Sequence, residues 1–181
     1  EQLLAMRRSP GGEFLEPLPT RPGIAVEALL LKCARDAGVP APEVYYVLTR
    51  EDDLGDAVIM EWLEGEALGA RIVRSDQFAE IRPRLAYECG QILAKIHSIN
   101  LPQAGLDKVL SEVSPDAFID QMWDRYKLLE TPQPMIDYAA RWLKENLPTD
   151  FELALVHNDF RCGNFMITSE KITAILDWET A

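Results

Sequence analysis

Between Phe151 and Glu179 the chain reads FELALVHNDFRCGNFMITSEKITAILDWE, and this stretch restricts the possible folds more than any other. Two short apolar runs, Leu153–Val156 and Ile172–Leu176, are separated by polar punctuation, a pattern that predicts strands. Asn164 to Thr168 is set to pair with Ile172 to Asp177 across Ser169-Glu170-Lys171, so a hairpin is expected. It would carry Asn164 at the start of one strand and Asp177 at the end of its partner. Asp159 would be presented by the loop just before them.

Such an arrangement suits phosphoryl transfer, a reaction in which positioning and charge neutralisation do most of the work. A carboxylate must orient the attacking hydroxyl, and hard oxygen ligands must hold Mg²⁺ on the phosphates. Mg²⁺ takes one or two protein oxygens and completes its octahedron with phosphates and water. Asp159 fits the orienting role, and Asn164 with Asp177 fits the metal. Singly, each would more often be a turn or strand-end residue, since Asp and Asn are common turn formers. Their joint spacing, together with His157, carries the functional reading.

His157-x-Asp159-x-x-x-x-Asn164, followed later by Ile175-Leu176-Asp177-Trp178-Glu179, resembles the catalytic core of the aminoglycoside phosphotransferase and choline kinase-like family. The resemblance implies an α+β, protein-kinase-like bilobal fold. A small β-rich N-lobe would span residues 1–63 and end in a hinge; a mainly helical C-lobe would span 64–181. It implies ATP and Mg²⁺ as cofactors and the hydroxyl of a small molecule as phosphoryl acceptor. Asp159 and His157 form the implied catalytic pair, with His157 hydrogen-bonding the backbone of the catalytic loop. Asn164 and Asp177 are the implied metal ligands. Arg7 matches the basic residue that grips the nucleotide phosphates, a position more often Lys. Arginine stays charged and donates two parallel bonds, so the exchange is chemically reasonable. Arg7-Arg8-x-Pro10 is similar to a branch of kinase-like domains linked to acyl-CoA dehydrogenases. Glu27 is placed to pair with Arg7, while the Glu61 carbonyl and Leu63 N–H would bind adenine with Met60 lining the pocket. A Gly-rich strand-loop-strand would precede Glu1 and acceptor-binding helices would follow Ala181, so the chain is expected to be a piece of a longer protein.

The rest of the chain is consistent with this plan. Its 181 residues are 48% hydrophobic, enough for a real core. A net charge of −12, with Arg7-Arg8 the only adjacent basic pair, argues against nucleic acid and against an anionic membrane surface. No apolar run approaches the ~20 residues of a membrane span. Cys33, Cys89 and Cys162 show no paired spacing, which fits a reducing cytoplasm; Cys162 and Met166 are expected to pack. Ser9–Gly23 reads as a Pro- and Gly-rich loop and Ile24–Ala37 as a helix stopped by Gly38. Glu43–Thr49 and Ala57–Trp62 read as a hairpin. Further helices are expected from Pro83, with Leu85, Cys89, Ile92 and Ile96 inward, from Ser114, and from Thr131. The Ser114 helix would bury Phe118, Ile119, Met122, Trp123, Tyr126 and Leu129, and the Thr131 helix Ile136, Ala140, Leu143 and Leu147. His97 is expected in the core.

Two other readings compete. A nucleotide-binding pseudokinase is suggested by Arg7 in place of Lys, although such a protein would usually have lost one of Asp159, Asn164 and Asp177. A metallohydrolase built on His157 is weakened by the distance to the second histidine, His97.

Overall fold

Gly38 stops the first helix for a stereochemical reason. In the computed structural model, which describes residues 2–14 and 22–181, α1 spans Ile24–Asp36 and Gly38 takes φ 76°. Val39 N–H then reaches back to Ala34 O and Gly38 N–H to Arg35 O, both at 2.9 Å. This Schellman closure satisfies carbonyls that would otherwise be orphaned, at a φ that only glycine adopts cheaply. The helix buries Ile24, Ala28, Leu30, Leu31 and Ala34 on one face, and with them Glu27.

That face lies against a three-stranded antiparallel sheet of order β1-β3-β2, made of β1 (Leu4–Arg8), β2 (Val44–Val47) and β3 (Ala57–Glu61). The expected hairpin is the β2–β3 pair, with its register shifting between Val44 and Tyr46. β1 pairs with the other edge of β3, setting Arg7 opposite Val58. Side chains alternate across a strand, so Val58 goes into the core, 1% exposed, while Met6 stands out at 49%. Of the Ser9–Gly23 loop, a 3-10 turn at Pro10–Gly12 is described; Pro17 and Pro19 lie outside the described residues.

After β3 come α2 (Gly69–Arg74), α3 (Arg82–His97) and α4 (Leu101–Ala104). Pro83 sits in the first turn of α3, where its missing N–H costs nothing. Ile92 and Ile96 are buried, and Leu85 and Cys89 pack against the same core. His97 is exposed instead of buried, because it falls off that face in the last turn of the helix.

The closing hairpin is β4 (Phe165–Ile167) with β5 (Ile172–Ile175), antiparallel, with Phe165 opposite Ile175. The run Leu153–Val156 is not a strand. Its backbone makes no hydrogen bond to another segment among the described residues, and an apolar run without a ladder partner stays irregular even when Leu155 is buried.

Contacts divide the chain into two compact units, Glu1–Leu110 with Ala154–Ala181, and Ser111–Leu153. The second holds α5 (Pro115–Lys127), capped by Ser114 Oγ accepting from Ala117 N–H, and α6 (Pro134–Glu145). Lys144 on α6 bonds Asp120 on α5. α6 opens at Pro134, later than Thr131, since Pro134 takes the first-turn position that suits proline. Neither helix contains a buried residue, and Phe118, Leu129, Ile136 and Leu143 are exposed. Two helices share only one seam, too little to enclose the apolar stripe that their sequences carry.

Candidate active site

The loop before β4 and the segment after β5 are fastened to each other by side chains. His157 is 1% exposed. Its Nε2 bonds Leu176 O at 3.0 Å, and its Nδ1 accepts from Asp159 N–H at 3.3 Å. That pattern belongs to a neutral ring, and burial pushes the imidazole below its usual range. The ring packs at a tilt of 52° against Trp178, centroids 4.7 Å apart, and Trp178 is itself 1% exposed with Nε1–H donating to Ile175 O. Asn158 Nδ2 donates to Thr180 O at 2.7 Å, and Thr180 Oγ to His157 O. Leu176 N–H donates to Asn164 O at 2.8 Å, extending the hairpin by one step. Asn164 and Asp177 are thereby held on neighbouring chain segments.

Two residues here sit in left-handed backbone, Asn158 at φ 61° and Asp177 at φ 65°. Asn and Asp tolerate this region best among non-glycine residues. The turn at Asn158 aims Asp159 outward, and the turn at Asp177 leads the chain off β5.

Asp159 has a donor on each oxygen. Arg161 Nε bonds Oδ1 at 2.8 Å, and Asn164 Nδ2 bonds Oδ2 at 2.7 Å. Arg161 first and Asn164 second hold this carboxyl below the usual carboxylate range. Asn164, buried, also gives its amide to Asp159 O at 2.9 Å. Its NH₂ is thus spent on the loop, and its carbonyl oxygen has no hydrogen-bond partner among the described residues.

Arg7 reaches from β1 into this region and meets three carboxylates. Its Nε lies 2.8 Å from Glu27 Oε2, and its Nη2 lies 3.1 Å from Glu179 Oε2 and 3.0 Å from Asp177 Oδ1. Burial pushes the Glu27 carboxyl up, against the pull of Arg7. Arg7 stays charged because the carboxylates outweigh its own loss of water. The approach to Asp177 lacks hydrogen-bond geometry, so Oδ1, shielded from solvent, accepts no hydrogen bond among the described residues. An oxygen with unused acceptor capacity costs free energy unless something fills it. Asn164 and Asp177 each carry an oxygen of the hard type that Mg²⁺ accepts, and Mg²⁺ takes one or two such protein ligands and leaves its other positions to phosphate and water. No group of three or more His, Cys, Asp or Glu able to hold a metal is present among the described residues.

The Arg7–Glu27 contact supplies a prediction. Arg7→Ala and Glu27→Ala should be non-additive in nucleotide affinity, with a coupling of about 0.5–3 kcal/mol as for contacting residues. Additive losses in a double-mutant cycle would mean the pair is not linked in the bound state.

Nearby, Met60 is partly buried and packs against both apolar clusters. The Glu61 side chain turns back to accept from Glu43 N–H at 3.1 Å, with Arg35 3.5 Å away. Leu63 N–H donates to nothing among the described residues, which leaves it free for a ligand. The next residues are tied to the hairpin, since Glu66 and Ile167 exchange both main-chain bonds. Gly65 makes this possible: a Cβ there would lie 3.0 Å from Ile167 N.

The model of the Phosphotransferase enzyme family matches residues 14–181. The chain belongs to this family. Among solved structures, this family member is similar to a candidate aminoglycoside phosphotransferase from Ralstonia eutropha JMP134, with a TM-score of 0.77 and 25% identity. That match covers 98% of this chain and 53% of the other, and it establishes the kinase-like α+β fold. Acyl-CoA dehydrogenase family member 10 of Mus musculus is 28% identical over 99% of the chain and 17% of its own length. Family member 11 of Gallus gallus is 29% identical over 98% of the chain and 23% of its own length. The chain thus spans about a fifth of the curated relatives it matches.

Two residues of the site were given no role from sequence: Arg161, and Glu179, which is part of the quoted motif. Each has a signal: a cation two residues after Asp159 and followed by Gly163, and an acid two residues after Asp177. Cys162, expected to pack, is exposed, since the loop turns it outward at Gly163.

Proposed function

We propose that this phosphotransferase-family chain moves the γ-phosphoryl group of ATP, with Mg²⁺, to a hydroxyl of a small molecule, with residues 1–63 and 64–181 as its two lobes. The observation that carries the reading is Asp177 Oδ1, shielded from solvent and accepting no hydrogen bond among the described residues, ion-paired with Arg7 on the segment fastened to Asn164. Asp159 orients the acceptor hydroxyl. Asn164 and Asp177 hold the metal, which when bound neutralises charge on the phosphates. Arg7, steadied by Glu27, grips the phosphates, and His157 positions the loop through its two ring nitrogens. The Glu61 carbonyl and Leu63 N–H bind adenine over Met60. The net charge of −12 disfavours nucleic acid and an anionic membrane surface as partners; no described helix is long and apolar enough to cross a bilayer. The names of the mouse and chicken relatives make hydroxyacyl thioesters the first acceptors to test, ahead of aminoglycosides and choline-like alcohols.

Titration of Mg·ATP and of Zn²⁺ during thermal unfolding is the direct experiment. Mg·ATP at one hundred times its dissociation constant stabilises by ~2.7 kcal/mol, a shift of several degrees for a domain of this size. Stabilisation by Zn²⁺ alone would turn the reading toward a metallohydrolase. The contact of Arg7 with Asp177 also supports a nucleotide sensor without turnover. Acceptor-dependent ADP release by the intact protein separates the two.

A further inference from the structure

We propose that Arg161 is a positioning residue that latches Asp159 until an acceptor arrives, and so suppresses transfer of the phosphoryl group to water. The inference rests on the kinase reading above and extends it to coupling between the two substrates.

The geometry gives Asp159 two unequal arms. Oδ2 is taken by Asn164, whose side chain is buried and holds the loop from within. Oδ1 is the outer arm, and Arg161 Nε covers it at 2.8 Å from an exposed position. The guanidinium lies back along its own loop, with Nη1 donating to Cys162 O at 3.2 Å. It has room to do so because residue 163 is glycine: a Cβ there would stand 2.8 Å from Nη1, and φ at Gly163 is 108°. Glycine at this point therefore accommodates the latch as well as the turn.

A carboxylate oxygen already holding a guanidinium N–H has less capacity left to accept a further hydrogen bond than a free one. A water molecule reaching the site meets a covered Oδ1 and gains little activation. An acceptor held by contacts elsewhere in its pocket can displace the guanidinium, which then swings free beside the transferred group. In the suppressed side reaction the water oxygen bonds to the γ-phosphorus and the bond to the β–γ bridging oxygen breaks. ADP leaves with the electron pair, and the water proton passes to Asp159 Oδ1 and on to solvent.

The test uses the intact protein with Mg·ATP and no acceptor, following ADP release, beside calorimetry with Mg·AMPPNP. Arg161→Ala should raise acceptor-free hydrolysis by roughly tenfold, below the 10²–10⁴ that a positioned base supplies in full, and should hold analogue affinity within about threefold. Gly163→Ala, which keeps the charge but pushes the guanidinium aside, should raise hydrolysis in the same direction. Adding Asp159→Asn to Arg161→Ala should remove the gain. Hydrolysis by Arg161→Ala at or below the parent rate, with analogue affinity retained, overturns the latch alone. A parent that neither binds Mg·AMPPNP nor releases ADP overturns the kinase reading, and the latch with it.

Discussion

Asp159→Asn should lower phosphoryl transfer by the intact protein by about 10²–10⁴-fold, the usual contribution of a positioned acid or base, while Mg·ATP binds nearly as before. The substitution is close to isosteric. It keeps the main-chain bond from Asp159 N–H to His157 Nδ1, and it leaves Asn164 and Asp177 in place. What it removes is an anionic oxygen for the acceptor hydroxyl, and it sets an amide NH₂ against Arg161 or Asn164, both donors here. Rate by ADP release and affinity by calorimetry should therefore part company. Near-parental turnover would show that another group orients the acceptor.

The second large effect belongs to Asp177→Asn. Asparagine tolerates the left-handed backbone at φ 65°, so the fold is kept. The charge that faces Arg7 and the proposed metal is lost. Altering even the outer partners of a metal site costs 10–100-fold in affinity, so a direct ligand should cost at least about tenfold in Mg²⁺-dependent ATP binding. Asn164→Ala should weaken it less, because an amide oxygen offers a hard cation less than a carboxylate does. ATP affinity that is equal with and without Mg²⁺ in the parent would refute the metal site altogether.

How much of this was legible in the sequence depended on range. Gly38 ends α1 by local stereochemistry, and the β2–β3 and β4–β5 hairpins follow from short apolar runs around turn residues; all three are visible without tertiary knowledge. A carboxylate on a helix face that is otherwise apolar says that Glu27 needs some partner; that the partner is Arg7 came from the family resemblance. Leu153–Val156 has the composition of a strand, yet strand is a property of two segments, and its would-be partner is missing. The stripes of α5 and α6 were read correctly as apolar, but burial depends on what surrounds a helix, which periodicity does not report. Arg161 escaped notice because its role depends on a guanidinium folding back over Gly163, a geometry that spacing alone does not encode. Glu179 was quoted within the motif but given no role, because β5 ends before it and only the turn at Asp177 brings it round to Arg7.

The contact between Arg7 and Glu179 joins residues 172 positions apart, whereas Arg7 and Glu27 are only 20 apart. On a ribosome adding ~5–20 residues per second, about 9–34 s separate the synthesis of the two distant partners. During that interval Glu27 is the only one of the three carboxylates already made that can hold the Arg7 charge. The Arg7 cation thus has Glu27 available as a partner well before Asp177 and Glu179 are made.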